Sequence, residues 1–336
     1  MNADKPATLA DVAARAGVSV ATASKALSDR YTVRASTQAR VVRAAQQLGF
    51  TPNPLARGLL SGRSGTVGLI THDLEGRFSI PILMGVEDAF GAERMYVFLT
   101  DARGDAIRER YHLDALLERR VDGIIVVGDQ TNPRASLGHN LPVPIVYAYA
   151  PSDDPTDCSV IFDNVGAGHM SIDHLIACGR RRIAIVSGDP TYGASQDRAL
   201  GALQALHDAG LEIVTEPMFG TWSESWGRGA TRLLLAQHPE VDAILCGSDM
   251  IARGCLDAIR ESGLDVPGNV AVMGHDNWDV LAADARVPLT SVDMNLSELG
   301  RLAANRLAQA IGGDPKAGVD VVTGRIITRK STTPGD

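Results

Sequence analysis

Residues 8–28 read TLADVAARAGVSVATASKALS, and this stretch decides the architecture of the chain. Thr8 stands where a helix needs a side-chain cap, with Asp11 three positions on to return the hydrogen bond and complement the helix dipole. Leu9, Val12, Ala13 and Ala16 supply one apolar stripe, and Gly17 stops the helix. Ser19 can cap a second helix running from Val20 to Leu27, whose apolar Ala23 and Leu27 recur four apart. Helix, tight glycine turn and helix make a helix-turn-helix unit. A third helix fits Ser36 to Leu48, with Val41, Ala44, Ala45 and Leu48 on one face, Arg40 and Arg43 outside it, and Gly49 as its stop. Three helices this short bury little, which suits a module that docks on something larger rather than one that catalyses.

Charge points the same way. Residues 1–63 hold nine Lys or Arg against three Asp, a net +6, while the 336-residue chain is −8, so the remainder carries −14. A basic head on an acidic body is expected when only the head meets a polyanion, where phosphate contacts provide sequence-independent affinity. The next segment, FTPNPLARGLL from Phe50 to Leu60, offers Asn53 as a cap, Pro54 at the first helical position, and Leu55, Ala56, Leu59 and Leu60 along one face. A helix this short is unstable alone in water.

On residues 8–28 the chain resembles the lac repressor family of bacterial transcription regulators, and the resemblance runs on to about Thr333. In that family the exposed start of the second helix enters the major groove, which implies that Val20, Ala21 and Lys25 meet base edges, with Thr8, Ser19, Thr22 and Ser24 completing the DNA-contact set. Lys25 stands where several members carry Arg. A lysine can donate to guanine without presenting a bidentate fork, so a blunter base choice is expected. The family's hinge helices pair across two subunits and wedge a leucine into the minor groove. Leu59 matches that leucine and Ala56 the alanine before it, with Asn53 and Arg57 in the same segment.

After residue 65, short continuously apolar segments rich in Val and Ile recur with helical patterns between them: Val67 to Ile70, Tyr96 to Thr100, Gly123 to Val127, Ile145 to Tyr149, Ile183 to Ser187, Ala243 to Cys246 and Val270 to Gly274. They read as strands buried on both faces of parallel α/β sheets with crossover helices. The length suits two lobes better than one sheet. The expected organisation is a three-helix DNA-binding domain over 1–51, a hinge helix over 52–63 and an effector-binding core over 64–336. Lobe 1 is placed at about 64–163 and 294–320, and lobe 2 at about 164–293 and 321–333, with crossings near Asp163, Val292 to Asn295, and Val321. The resemblance implies the same, since the family's core looks like a periplasmic sugar-binding protein.

Ligands bind at the strand ends of such sheets. His72, Asp73 and Arg77 to Phe78 follow the first strand, Tyr149 ends the fourth, and Tyr192 to Arg198 follow the fifth; Ser248 and Asp249 follow the sixth, and His275, Asp276 and Asn277 the seventh. By resemblance Arg198 matches the arginine that grips the effector, Asp276 the aspartate that binds it, and Trp222 a tryptophan that packs against its sugar. Ser248 stands where the lac repressor has asparagine, Tyr149 where it has aspartate and Met294 where it has glutamine, so its ligand does not carry over. An arginine and a carboxylate can share adjacent hydroxyls while an aromatic ring takes the C–H face of a pyranose, which favours a mono- or oligosaccharide. Arg198 and Asp276 could alternatively pair across the lobes when no ligand is bound. Trp226 and Trp278 read rather as packing.

Other chemistries find little footing. H-E-x-x-H, G-x-S-x-G and phosphate-loop patterns are missing, and Gly166-Ala167-Gly168 lacks its third glycine, Ser171 standing there. Asp163, His169 and His174 have no nucleophile beside them and read as structural. Cys158, Cys178, Cys246 and Cys255 show no paired spacing and read as reduced, buried thiols, with neither cofactor nor metal expected. There is no signal peptide pattern and no apolar run of ~18 residues, so a cytoplasmic, nucleoid-associated protein is expected. Seven residues follow Arg329, too few for a tetramerising zipper. The expectation is a non-enzymatic repressor binding a pseudo-palindromic operator as a homodimer, with surfaces near Ile80 to Phe90, Met250 to Ser262 and Val280 to Asp284, controlled by a sugar. A nucleobase effector and a protein corepressor are the alternatives.

Overall fold

The computed structural model describes residues 7–27, 33–50, 63–74, 77–93 and 95–333, which form two units divided at residue 65. The expected hinge residues Asn53, Ala56, Arg57 and Leu59 lie outside the described residues.

In the head, α1 (Leu9–Ala16), α2 (Val20–Ala26) and α3 (Ala35–Gln47) enclose Val12, Ala13, Ala16, Ala23, Ala26, Val41, Ala44 and Ala45. The capping box is complete: the Thr8 amide donates to Asp11 Oδ2 at 2.8 Å and the Asp11 amide to Thr8 Oγ1 at 3.4 Å. Gly17 ends α1 at φ +64°, a left-handed conformation that glycine adopts without steric penalty. Ser19 caps α2 by accepting from the Thr22 amide at 3.1 Å. The small side chains let three short helices close on one another, and Arg15 Nε donates to Gln47 Oε1 at 2.9 Å to tie α1 to α3.

The body contains two six-stranded sheets. The first runs β11(Gly318–Val322), β5(Cys158–Phe162), β4(Ile145–Ala148), β3(Ile124–Val127), β1(Thr66–Thr71), β2(Tyr96–Asp101), all parallel. The second runs β12(Arg325–Ile327), β10(Thr290–Asp293), β9(Ala271–His275), β8(Ala243–Cys246), β6(Ile183–Ser187), β7(Met218–Phe219), parallel except for β12, which is antiparallel to β10. The chain passes between the sheets after Phe162, after Asp293 and after Val322. The last passage falls beyond Val321 because Val322 still pairs with Phe162 in the first sheet. Strands β3, β6, β8 and β9 are buried along their whole length, which is why they read as unbroken apolar runs.

Helices pack in pairs through glycines that no periodicity reveals. A Cβ on Gly168 would lie 2.1 Å from the Arg198 carbonyl, and one on Gly201 would lie 1.9 Å from the Val165 carbonyl. Helices Asn164–Ala177 and Gly193–Asp208 therefore meet backbone to backbone, which brings Arg198 against Asn164. Asp163, read as structural from the sequence, caps the first of these helices by accepting from the Gly166 amide at 2.7 Å. All four cysteines are free, and among them Cys246 and Cys255 lie 3.5 Å apart in the core of the second lobe. Among the described residues no helix is long and apolar enough to cross a membrane.

Candidate functional site

The centre of the cleft is Arg198, which the helix Gly193–Asp208 carries into a buried position at 7% exposure. Its Nε donates to Asn164 Oδ1 at 2.8 Å, its Nη1 to the Gly247 carbonyl at 2.6 Å, and its Nη2 points at Met294 Sδ at 3.8 Å. Three different segments thus hold one guanidinium flat. Burial presses on its charge, yet an arginine stays protonated, and Asp276 lies within 3.9 Å of Nη1.

Asp276 follows β9 with its backbone at φ +101°, and Asn277 follows at φ +49°. Two successive non-glycine residues in the left-handed region are strained, which marks the turn as held by its surroundings. Arg198 and Asp276 belong to the same lobe, so the pairing across the lobes that the sequence suggests for them is made by Arg77 instead: its Nη1 lies 3.3 Å from Asp276 Oδ2 and its guanidinium sits over the Trp278 ring at 4.8 Å. The proximity is electrostatic only. Arg77 Nη1 and Asp276 Oδ2 are buried without a hydrogen-bond partner among the described residues, as are Ser187 Oγ, Ser195 Oγ, Trp222 Nε1, Thr131 Oγ1 and His275 Nε2. Buried polar atoms left unpaired cost about 1–3 kcal/mol each, so a group of them around one cleft is an arrangement that a polar ligand would relieve.

Aromatic rings complete the walls. Phe78 and Tyr149 stack at 5.3 Å with planes 24° apart, and Tyr192 meets Trp222 edge to face at 5.9 Å. Burial raises the Tyr149 phenol far above its ordinary value, beside the charges of Arg198, Asp276 and Arg77, so it acts as a neutral hydroxyl. Trp222 lies flat on the backbone of Gly188, where a Cβ would come within 2.3 Å of its ring. Trp226 is packing, its Nε1 donating to the Ser187 carbonyl at 2.9 Å.

Four expected contact residues have other partners. Asp249 is fully buried, with Oδ1 accepting from Ser291 Oγ at 2.6 Å and Oδ2 from the Trp278 amide at 3.0 Å, so it supports the Asp276–Trp278 turn from behind. Burial and the nearby Asp276 carboxylate push it up to about 7. His72 is drawn into a part-buried polar cluster: its Nε2 pairs closely with Glu109 and lies 3.0 Å from Arg134 Nη1, while Arg134 Nη2 donates to Glu109 Oε1 at 2.7 Å. Burial would raise Glu109, but the His72 and Arg134 contacts outweigh it and hold the carboxyl at about 2. Ser248 caps the helix Asp249–Glu261 by accepting from the Ile251 amide at 3.3 Å, and Asp73 stands beside the Thr71–Ser79 hydroxyl pair, its carbonyl accepting from Ser79 Oγ at 2.7 Å. His275, which precedes Asp276, is held neutral by burial and by the Arg198 charge.

Of the expected DNA-contact residues in the head, Ser19, Val20 (49% exposed), Ala21 and Lys25 lie outward, Thr22 and Ser24 are half-buried, and Thr8 is exposed just before α1. Sequence reasoning missed Asn164 and Asn132, and placed Arg77 at a strand end without its partners Asp276 and Trp278, because each acts across segments far apart in the chain. It also missed the exposed apolar side chains of edge strand β2, Tyr96, Phe98 and Leu99, and of the following helix, Ile107 and Tyr111.

Comparisons with known proteins agree with this geometry. Residues 8–53 match the model for bacterial regulatory proteins of the lacI family, and residues 172–332 match a periplasmic binding protein-like domain. The chain is similar to the HTH-type transcriptional repressor PurR of Glaesserella parasuis, 31% identical over 96% of this chain and 95% of the relative. Among solved structures it is similar to the lac repressor dimer bound to operator and the anti-inducer ONPF, with TM-score 0.76 and 26% identity over 98% of this chain and 100% of the other. It is also similar to a transcriptional regulator CelR–cellobiose complex, with TM-score 0.65 and 30% identity over 97% and 99%.

Proposed function

Given that the chain belongs to the lacI family of bacterial regulatory proteins and is a DNA-binding transcriptional repressor, we propose that a sugar bound in the interlobe cleft controls its hold on the operator. The observation that carries the reading is the buried, hydrogen-bond-deficient set around Arg198 and Asp276, walled by Tyr149, Tyr192 and Trp222. Within that set the guanidiniums of Arg77 and Arg198 flank the carboxyl of Asp276, an arrangement of donors beside an acceptor that favours a ligand rich in hydroxyls. Arg198 and Asp276 are proposed to share adjacent hydroxyls, with Trp222 against the apolar ring face, Met294 and Ser248 shaping the floor, and Tyr149 adding a neutral donor. The similar CelR structure is a cellobiose complex, which supports a saccharide.

A ligand shifts the lobes only by binding one arrangement better than the other, an effect of about 1–3 kcal/mol per coupled site. Helix α2 is proposed to read the major groove through Val20, Ala21 and Lys25, and the segment carrying Asn53, Ala56, Arg57 and Leu59 to meet the minor groove. A two-fold operator requires two copies. The exposed edge strand with Tyr96 and Phe98, and the exposed Ile80, Met84 and Val280, support a homodimer. A DNA-bound repressor of this kind works in the cytoplasm.

A nucleobase is the second reading, supported by the nearly parallel Phe78–Tyr149 rings, which offer a flat aromatic wall. Operator affinity of the full chain, measured by fluorescence anisotropy during titration with cellobiose, monosaccharides, guanine and hypoxanthine, tests both. A response to a saccharide alone is expected. A response only to a purine replaces the sugar, and a response only after a partner protein is added removes the small-molecule reading.

A further inference from the structure

Helix Gly193–Asp208 carries Ser195 and Arg198, yet it begins without a cap of its own: the residue before it, Tyr192, makes no side-chain hydrogen bond to the helix. The first amides of a helix need acceptors from elsewhere. Here the acceptor comes from the other lobe. Asn132, in the loop after β3 of the first sheet, takes the Gly193 amide on its Oδ1 at 2.7 Å, and its Nδ2 donates to the Thr191 carbonyl at 3.0 Å. Both partners are backbone atoms, so neither can turn away as a side chain could. Thr131 presses on the same point: a Cβ on Gly193 would lie 3.3 Å from Thr131 Oγ1 and 3.4 Å from Asn132 Oδ1. The two amide contacts embrace Tyr192, whose ring meets Trp222.

We propose that Asn132 is an interlobe latch, a positioning residue that caps the effector-binding helix of lobe 2 from lobe 1. Closing the lobes completes the helix start and fixes Tyr192 and Arg198 together; parting them strips the cap and loosens the same segment. Closure and the order of the binding surface are thereby one event, without any contact between Asn132 and the effector. The inference rests on the effector-sensing reading above for its purpose, but its mechanics concern the protein alone.

Hydrogen–deuterium exchange on the full-length, ligand-free chain tests it. In Asn132→Ala, amides 191–195 are expected to exchange about tenfold faster, the size set by losing a pair of ordinary hydrogen bonds, while β6 (Ile183–Ser187) and helices α1–α3 keep their protection. Asn132→Asp keeps the acceptor for Gly193 and loses the donor to Thr191, so a smaller acceleration is expected at the same amides. Unchanged exchange at 191–195 in Asn132→Ala overturns the latch. A uniform acceleration that includes Ile183–Ser187 also overturns it, because it marks a general loss of fold. The same measurement with millimolar cellobiose on the parent protein separates the two ideas: if cellobiose protects nothing, the saccharide reading weakens, while the response of 191–195 to Asn132→Ala still decides the latch.

Discussion

Arg77 lies over Trp278, its guanidinium carbon 4.8 Å from the ring centroid, so a cation of the first lobe rests on an aromatic ring of the second. Its Nη1 also stands 3.3 Å from Asp276, whose side chain is 4% exposed. Asp276 is therefore approached by Arg77 from across the cleft and by Arg198 from its own lobe. Removing Arg77 takes away one of two counter-charges and the only one that reports lobe position. Arg77→Ala is expected to weaken binding of the active effector by about 2 kcal/mol, about 30-fold, through the loss of one partner of a desolvated pair. Calorimetric titration measures it, and operator binding without effector serves as the control. Equal affinity in the two proteins would remove Arg77 from the closure.

Arg198 differs in having three separate acceptors, Asn164, Gly247 and Met294, arranged for a planar fork. Arg198→Lys keeps the charge beside Asp276 but cannot satisfy that geometry. The expected variant folds, binds the operator and no longer answers to effector, with affinity for it down at least tenfold. Anisotropy on labelled operator during effector titration checks this. A normal response from Arg198→Lys would show that charge alone is needed and that the fork is packing.

How much of this was legible in the sequence depends on how local each cause is. The Thr8–Asp11 capping box, the Gly17 stop and the Ser19 cap act within four residues, and each formed as the spacing implied. Strands β1, β3, β4, β6, β8 and β9 announced themselves because burial on both faces leaves few polar positions to disguise them, and edge strand β2 did so by its apolar run although its side chains are largely exposed. The short strand β7 and the antiparallel β12 did not, since two or three residues hold too little pattern, and β5, β10 and β11 did not because polar residues such as Ser159, Ser291 and Asp320 interrupt their apolar runs. Within the cleft, Arg198, Asp276 and Tyr149 could be picked from strand ends, and Trp222 only from the family resemblance. Asp249 stands in the same kind of place yet turns both oxygens inward to Ser291 and Trp278, a difference only the tertiary contacts make. Gly168 and Gly201 look like ordinary helix-weakening residues until their helices are seen to touch.

Asp249 carries a pH dependence whose sign follows from its burial. Its folded value is about 7, above the ordinary carboxylate range, so the folded protein holds a proton that the unfolded chain releases near pH 4. Stability from this group is full at low pH and is lost as pH rises through the window from about 4 to about 7. The half-buried His174 and the buried His275 are shifted down and act in the opposite direction, losing stability as pH falls below the ordinary histidine value. Comparison with Asp249→Asn isolates the carboxyl. The stability of the variant minus that of the parent is expected to rise between pH 4.5 and 7.5 by on the order of 1–3 kcal/mol, read from urea unfolding at each pH. A pH-independent difference would mean that Asp249 is ionised throughout.

Ser19 holds the start of α2, and with it the surface that carries Val20 and Ala21. Its hydroxyl accepts from the Thr22 amide at 3.1 Å and lies 2.8 Å from Thr22 Oγ1. Ser19→Ala is expected to cost the head about 1 kcal/mol of stability and to weaken operator binding without altering effector affinity. Thermal unfolding together with calorimetry separates the two effects, and a matching loss of effector affinity would contradict the assignment of Ser19 to the head alone.

Lys25 offers the sharpest distinction between reading a base and holding a phosphate. It is exposed near the end of α2, on the same helix as Val20 and Ala21, while Ala23 and Ala26 turn inward to the core of the head. A base contact spends its energy at one position of the operator, and a phosphate contact spends it equally on every sequence. Lys25→Ala is therefore expected to relax preference at a single base pair in each half-site, lowering discrimination there by about 1–3 kcal/mol while other positions keep theirs. Binding to a panel of operators with each base pair changed in turn measures this. A uniform loss over the panel, together with a salt slope smaller by about one, would assign Lys25 to the backbone and leave base choice to Val20 and Ala21.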